Sequence, residues 1–222
     1  TVLGCNMGCP SCYARESTHI LMRGIDFETP VPQILNKKRL VGDLDRIRDK
    51  NGRNWVRNGV MGDPAYDWDL AIETARIISE QGYYNVIMTK MPVLPTAGQL
   101  LRLSAYNTVL HLGLVVGYNI STDPDWVRKV ELMRMYQKWA GYDYAILRVG
   151  TFAFDQTITD GAELAAEQKA WIHMGFKFME GPWRLTKTHE FAKAGLLDWE
   201  QYSQHKAYGK KGVKSKNYSP KP

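Results

Sequence analysis

Cysteine is almost missing from this chain of 222 residues: there are three, Cys5, Cys9 and Cys12, and none follows. An odd number of thiols confined to one short stretch cannot staple a fold of this size, so a disulfide framework is disfavoured and a single local metal site becomes the natural use of all three. No apolar run approaches the roughly 18 residues needed to cross a bilayer, and the opening residues lack the basic, apolar and small-residue blocks of a secretory leader. Both absences predict a cytoplasmic protein with no membrane association. A Ser/Gly-rich linker is also lacking, so residues 1–204 read as one folded domain. Because Thr1 rather than Met precedes the cysteines, residues missing upstream are one expectation. Acid is absent from the last 18 residues, His205 to Pro222, which carry six lysines and so account for the whole formal net charge of +6. That segment cannot bury enough apolar surface to order itself and reads as a flexible tail, either simply solvated or an arm for phosphates.

What is present is ordinary for a folded protein: 44% hydrophobic and 23% charged residues, near the averages for globular domains. Short apolar runs alternate with longer amphipathic stretches, the pattern of βα units around a parallel sheet. The runs predict strands at Thr1–Leu3, Trp55–Met61, Asn85–Thr89, Thr108–Val116, Tyr144–Val149 and Phe176–Glu180. Between them "DWDLAIETARIISEQG" has Asp67 as its N-cap and Gly82 as its stop, with Leu70, Ile72, Ala75, Ile77 and Ile78 on the inward side. "TAGQLLRLSAY", "DPDWVRKVELMRMYQKWAG", "DGAELAAEQKAWIHMG" and "KTHEFAKAGL" repeat the design. Thr18 to Asn54 is less regular and reads as an extended first crossover containing the helical run "KRLVGDLDRIRDK". Right-handed crossovers between six such strands predict an α/β fold, a partial (βα)6 parallel barrel with its chemistry at the carboxyl ends of the strands. The tryptophans and Tyr66 fall mostly at helix or strand spacing and read as core.

The cysteines follow C-x3-C-x2-C in "GCNMGCPSCYAR", where Gly4, Gly8 and Pro10 hold a loop open enough for successive sulfurs to face inward on one metal centre. Two readings remain. A structural zinc ion needs a fourth ligand, for which His19 is the nearest candidate. An iron–sulfur cubane held by three thiolates instead leaves one iron open to an exogenous ligand, and the shortage of a fourth cysteine favours it.

This motif resembles that of the radical S-adenosylmethionine (SAM) superfamily, in the branch similar to spore photoproduct lyase, and the resemblance extends over most of the chain. It implies that Cys5, Cys9 and Cys12 hold a [4Fe–4S] cluster whose fourth iron chelates SAM. Reduction by an external donor of the flavodoxin or ferredoxin type then cleaves SAM to a 5'-deoxyadenosyl radical, which abstracts hydrogen from a substrate. Ser11 stands where the family usually has an aromatic residue against the adenine, leaving Tyr13 as the candidate for that contact. Met61, Gly62, Asp63 and Pro64 resemble the family's Gly-Gly-Glu-Pro segment that receives the SAM ammonium. "GDP" alone is also a common turn.

Further candidates sit at later strand ends. Lys90 in "MTKMP" would hold the SAM carboxylate or an anionic substrate, unless it merely snorkels. Asn119 and Ser121 in "GYNIST" would meet ribose hydroxyls. Arg148 lies within a strand, costly for a charge unless paired or facing a polar cavity, and would bind a carboxylate or a substrate phosphate. Glu180 and Arg184 would pair with each other or line the substrate side. With no fourth cysteine, an auxiliary thiolate-bound cluster or a cysteine hydrogen donor is ruled out, and Tyr13, Tyr66 or Tyr118 is the kind of residue left to quench a radical. The family likeness and the lysine tail lean towards a nucleic acid or nucleotide substrate. Two rivals are a zinc- or cluster-containing nucleic-acid-binding module without catalysis and an iron–sulfur electron carrier.

Overall fold

The computed structural model describes residues 2–8, 14, 25–51, 54–115, 123–182 and 190–198. It is an α/β protein with a five-stranded parallel sheet and helices. Strand β1 (Val2–Leu3) pairs antiparallel with β2 (Val31–Pro32). Helix α1 (Lys37–Asn51) leads into β3 (Trp55–Asn58), a short 3-10 turn (Pro64–Tyr66), α2 (Trp68–Glu80) and β4 (Tyr84–Thr89). Then come α3 (Ala97–Ser104), β5 (Thr108–Val115), α4 (Trp126–Ala140), a second 3-10 turn (Tyr142–Tyr144) and β6 (Ala145–Thr151). Helix α5 (Thr159–Ile172), β7 (Lys177–Pro182) and α6 (Glu190–Lys193) complete the described elements. The sheet runs in chain order from β3 to β7. The expected first barrel strand is not among its five: β1 touches that sheet by one parallel bridge, Gly4 to Gly62. The reason is local, because Gly4 turns to φ +86 after two residues of strand.

The described chain divides into two compact units, one of Thr1–Leu112 with Pro124–Ile146, the other of Gly113–Asp123 with the chain from Leu147 onward. In the first unit, helix ends are set by side chains near in sequence. Asp67 accepts from the Leu70 amide at 2.9 Å, and Thr96 with Gln99 forms a reciprocal capping box at the start of α3, each satisfying amides that a helix leaves orphaned. Gly141 ends α4 at φ +108. The last three residues predicted for β3, Gly59 to Met61, are lost for the same kind of reason: Gly59, at φ +91, stops the strand.

Helices α1 to α4 pack each on the next. Val56 packs with Leu40, Leu44, Ile47, Ile78 and Tyr83 between α1, α2 and the sheet, and Tyr83 donates its hydroxyl to the Leu44 carbonyl at 2.8 Å. In register, Val56 lies beside Asn85 and Asn85 beside Thr108, so strand alternation puts Asn58, Ile87, Thr89, Leu110 and Leu112 on this same helix-covered face. The opposite face of β3, β4 and β5 carries Trp55, Arg57, Tyr84, Val86, Met88, Val109 and His111. Tyr136 of α4, fully buried, donates to the Thr108 carbonyl at 2.8 Å.

In the second unit the buried Gln168 of α5 satisfies both backbone groups of Phe152, accepting at 2.8 Å and donating at 3.0 Å. Phe152, Phe154 and Phe191 stack edge-on or tilted with centroids 5.3–5.6 Å apart, a geometry that suits the ring quadrupoles. Of the tryptophans expected in cores, Trp68 and Trp171 are buried, whereas Trp139 reaches the surface. Among the described residues no helix is long and apolar enough to cross a membrane.

Candidate functional site

The segment that carries Cys5 is gripped from two sides. On one, the Gly4 amide donates to the Met61 carbonyl at 3.0 Å; on the other, the Cys5 amide donates to the Phe27 carbonyl at 2.7 Å. Two glycines make this approach possible. A Cβ on Gly62 would stand 2.5 Å from the Val2 oxygen and 2.7 Å from that of Gly4, and a Cβ on Gly4 would stand 2.7 Å from the Thr29 oxygen. Backbone therefore lies against backbone, as only glycine permits.

Asp63 shapes the turn beyond Gly62. Its side chain is 6% exposed; Oδ1 accepts from the Ala65 amide at 3.0 Å and Oδ2 from the Lys90 amide at 2.8 Å. Thr89 adds a side-chain hydrogen bond to the same carboxylate, while its oxygen accepts from the Met91 amide at 2.6 Å. One carboxylate thus ties the end of β3 to the end of β4. Burial pushes its pKa above the ordinary aspartate value, against the pull of the Thr89, Lys90 and Ala65 hydrogen bonds and the Lys90 charge. Beyond β4 the buried Met91 adopts φ 51, and Trp68 fastens the loop by donating to the Val93 carbonyl at 2.8 Å.

The 3-10 turn that Asp63 caps carries Tyr66 back to the cysteine. Its phenol oxygen lies 3.9 Å from Cys5 Sγ and accepts from the Asn6 amide at 3.1 Å, and it donates to Asn6 Oδ1. Burial holds the phenol above its usual pKa, opposed by the Asn6 amide and reinforced by Cys5 and Asp63. Residues 60 and 61 positions apart in sequence are thereby joined at the half-buried thiol.

Comparison with models of protein families, with curated proteins and with solved structures finds no match. The site is read from its own geometry. Of the residues singled out from sequence, Cys5, Met61, Gly62, Asp63, Pro64 and Lys90 come together in the first unit. Arg148 belongs to the second, where its Nη1 donates to Met179 Sδ at 3.4 Å. Cys9, Ser11, Cys12, Tyr13, His19, Tyr118, Asn119, Ser121, Arg184 and the tail from His205 lie outside the described residues. No group of three His, Cys, Asp or Glu able to hold a metal gathers among the described residues. The donor chemistry fits a thiophilic centre nonetheless: Cys5 Sγ is half-buried on a backbone held by the Met61 and Phe27 carbonyls, and the two thiols that complete its spacing follow within seven residues.

Sequence reasoning missed three features. Asn6 and the pairing of Tyr66 with Cys5 carry no local signal. Arg57 and His111, on the sheet face turned away from the helices, were legible from alternation: Arg57 follows the core residue Val56, and His111 interrupts the apolar run "TVLHLGLV".

Proposed function

We propose that this chain is a radical SAM enzyme built on a partial α/β barrel, in which Cys5, Cys9 and Cys12 hold one [4Fe–4S] cluster and SAM binds over the turn from Met61 to Pro64. The observation that carries the reading is Cys5, the first thiol of the C-x3-C-x2-C motif, held beside the turn at the carboxyl end of β3 through Gly4 and Gly62. When bound, cluster and SAM would supply an electron and, by reductive cleavage, a 5'-deoxyadenosyl radical. The chain's own part is positional. Gly4 and Gly62 let the backbone leading into Cys5 lie directly on the turn, the Phe27 carbonyl fixes the Cys5 amide, and Asp63 holds the turn against the end of β4. Because its carboxylate already accepts from three donors, Asp63 acts as the clamp of this site. Lys90 brings a cation beside it for a carboxylate or an anionic substrate.

The substrate reading is a nucleotide or nucleic acid, supported by the six tail lysines, whose cations suit phosphate. An external flavodoxin- or ferredoxin-type protein would donate the electron, in the cytoplasm. Anaerobic reconstitution with iron and sulfide, followed by reduction in the presence of SAM, tests the proposal. The expected result is a brown protein that forms 5'-deoxyadenosine, with formation lost in Cys9→Ala. Folded protein that stays colourless, binds zinc and leaves SAM intact would overturn it in favour of a metal-stabilised binding module.

A further inference from the structure

We infer that Tyr66 is a positioning residue for the metal-bound Cys5, its hydroxyl proton shared between Asn6 and the sulfur so as to set how easily the centre is reduced; the inference rests on the cluster reading above. The phenol oxygen has one proton and two lone pairs. The structure puts three groups around it: the Asn6 amide, which donates at 3.1 Å, Asn6 Oδ1, which receives the hydroxyl proton, and Cys5 Sγ at 3.9 Å. While the sulfur is a thiol it can donate to the remaining lone pair. Once it binds a metal it has lost its proton and is an acceptor only. The hydroxyl then faces two acceptors, a neutral amide oxygen and a sulfur carrying negative charge, and the charged one makes the stronger hydrogen bond. Rotation about the C–O bond moves the proton from Asn6 Oδ1 to Cys5 Sγ without moving the ring.

The ring itself is not free to retreat. Tyr66 ends the 3-10 turn whose Ala65 amide is capped by Asp63, and that carboxylate is anchored in turn on the Lys90 amide just past β4. Hydrogen bonds donated to cluster sulfurs stabilise the reduced, more negative state, and outer partners of this kind are a principal lever on potential. Tyr66 therefore favours reduction, and Asn6, by competing for the same proton, moderates it.

The test is an EPR-monitored redox titration of the anaerobically reconstituted full chain, with iron and sulfide content measured for each protein. Tyr66→Phe keeps the ring and removes only the proton; it is expected to load normally while the equilibrium constant for one-electron reduction falls by about three- to tenfold. Asn6→Ala, at an exposed side chain, removes the competing acceptor and is expected to shift the constant the other way. Opposite shifts are not what a merely structural residue produces. If both variants load fully and titrate with the wild type, the inference is wrong and the cluster reading stands. If Tyr66→Phe fails to load, Asn6→Ala decides alone: an upward shift supports the inference and none overturns it. If folded wild-type protein takes up no iron and sulfide, the functional reading falls and the inference falls with it.

Discussion

Replacing Gly62 by alanine should unseat the cysteine loop, and the size of the effect follows from three distances. The added carbon would lie 2.5 Å from the Val2 oxygen, 2.7 Å from the Gly4 oxygen and 2.9 Å from the Gly4 nitrogen, all backbone atoms with no rotamer to change. Even close carbon–oxygen contacts settle at about 3.3–3.6 Å, so β1 must move out by nearly an ångström. That displacement breaks the 3.0 Å bond from the Gly4 amide to the Met61 carbonyl. Overpacking costs about 1–3 kcal/mol and the lost hydrogen bond about 1 kcal/mol, together about 2–4 kcal/mol. With a urea m-value of about 2 kcal/mol per molar, the unfolding midpoint of the metal-free protein should fall by about 1–2 M. Amide exchange at Gly4 and Cys5 should accelerate in the same variant. The control is Gly42→Ala, the same chemical change in the middle of α1 where a Cβ meets nothing within 4 Å; it should stabilise by about 0.5–1 kcal/mol. A Gly62→Ala protein with an unshifted midpoint and a Gly4 amide as protected as before would refute the close-approach argument.

Asp63→Ala strips the acceptor from the Ala65 and Lys90 amides and from Thr89 in a buried setting, for an expected loss of about 2–4 kcal/mol read by the same urea titration; a loss below about 0.5 kcal/mol would mean those donors find water instead. Glu73 bonds Arg76 through both carboxylate oxygens, at 2.8 and 2.9 Å, and reaches Lys37 of α1 at 2.6 Å. Those hydrogen bonds hold its pKa at about 2, below the usual 4.5. A depressed carboxylate stabilises above its unfolded pKa and loses that contribution as pH falls from 4.5 towards 2. The side chain is 34% exposed, so screening limits the gain to about 0.5–1 kcal/mol. Glu73→Gln should therefore be less stable than wild type at neutral pH and equal to it near pH 2, with the gap narrowing in high salt; a gap that persists in acid would point to packing instead of charge.

Helix starts were legible because their caps are local: Asp67 with Leu70, and Thr96 with Gln99, lie within one turn of each other. The parallel strands β4 and β5 were legible because each is a short, largely apolar run rich in β-branched and aliphatic residues. Strand β2 was not, since Val31 and Pro32 are exposed and two residues hold no period. The cysteine spacing carries the chemistry proposed for the candidate site, yet the supports of Cys5 come from distant chain. Nothing near Cys5 in sequence points to Tyr66 or Phe27, and nothing in "GDP" says that Asp63 is buried and spent on the end of the neighbouring strand. Burial of a polar group is a tertiary fact. Asn58 makes the same point: its amide atoms are buried on the helix-covered face with no hydrogen-bond partner among the described residues, which strand position alone would never suggest.

The carboxylate that joins the ends of β3 and β4 also dictates where this chain tolerates added length. An insertion between Asn58 and Asp63 would carry the acid out of reach of Lys90 and Thr89, and would draw Gly62 away from Gly4 in the same stroke. Past Val93, which is exposed, only Leu94 and Pro95 separate this loop from Thr96 at the start of the next helix. Loop growth through evolution or engineering is thus confined to the outer side of that point, and a grafted epitope or domain placed there should leave the cysteine platform intact.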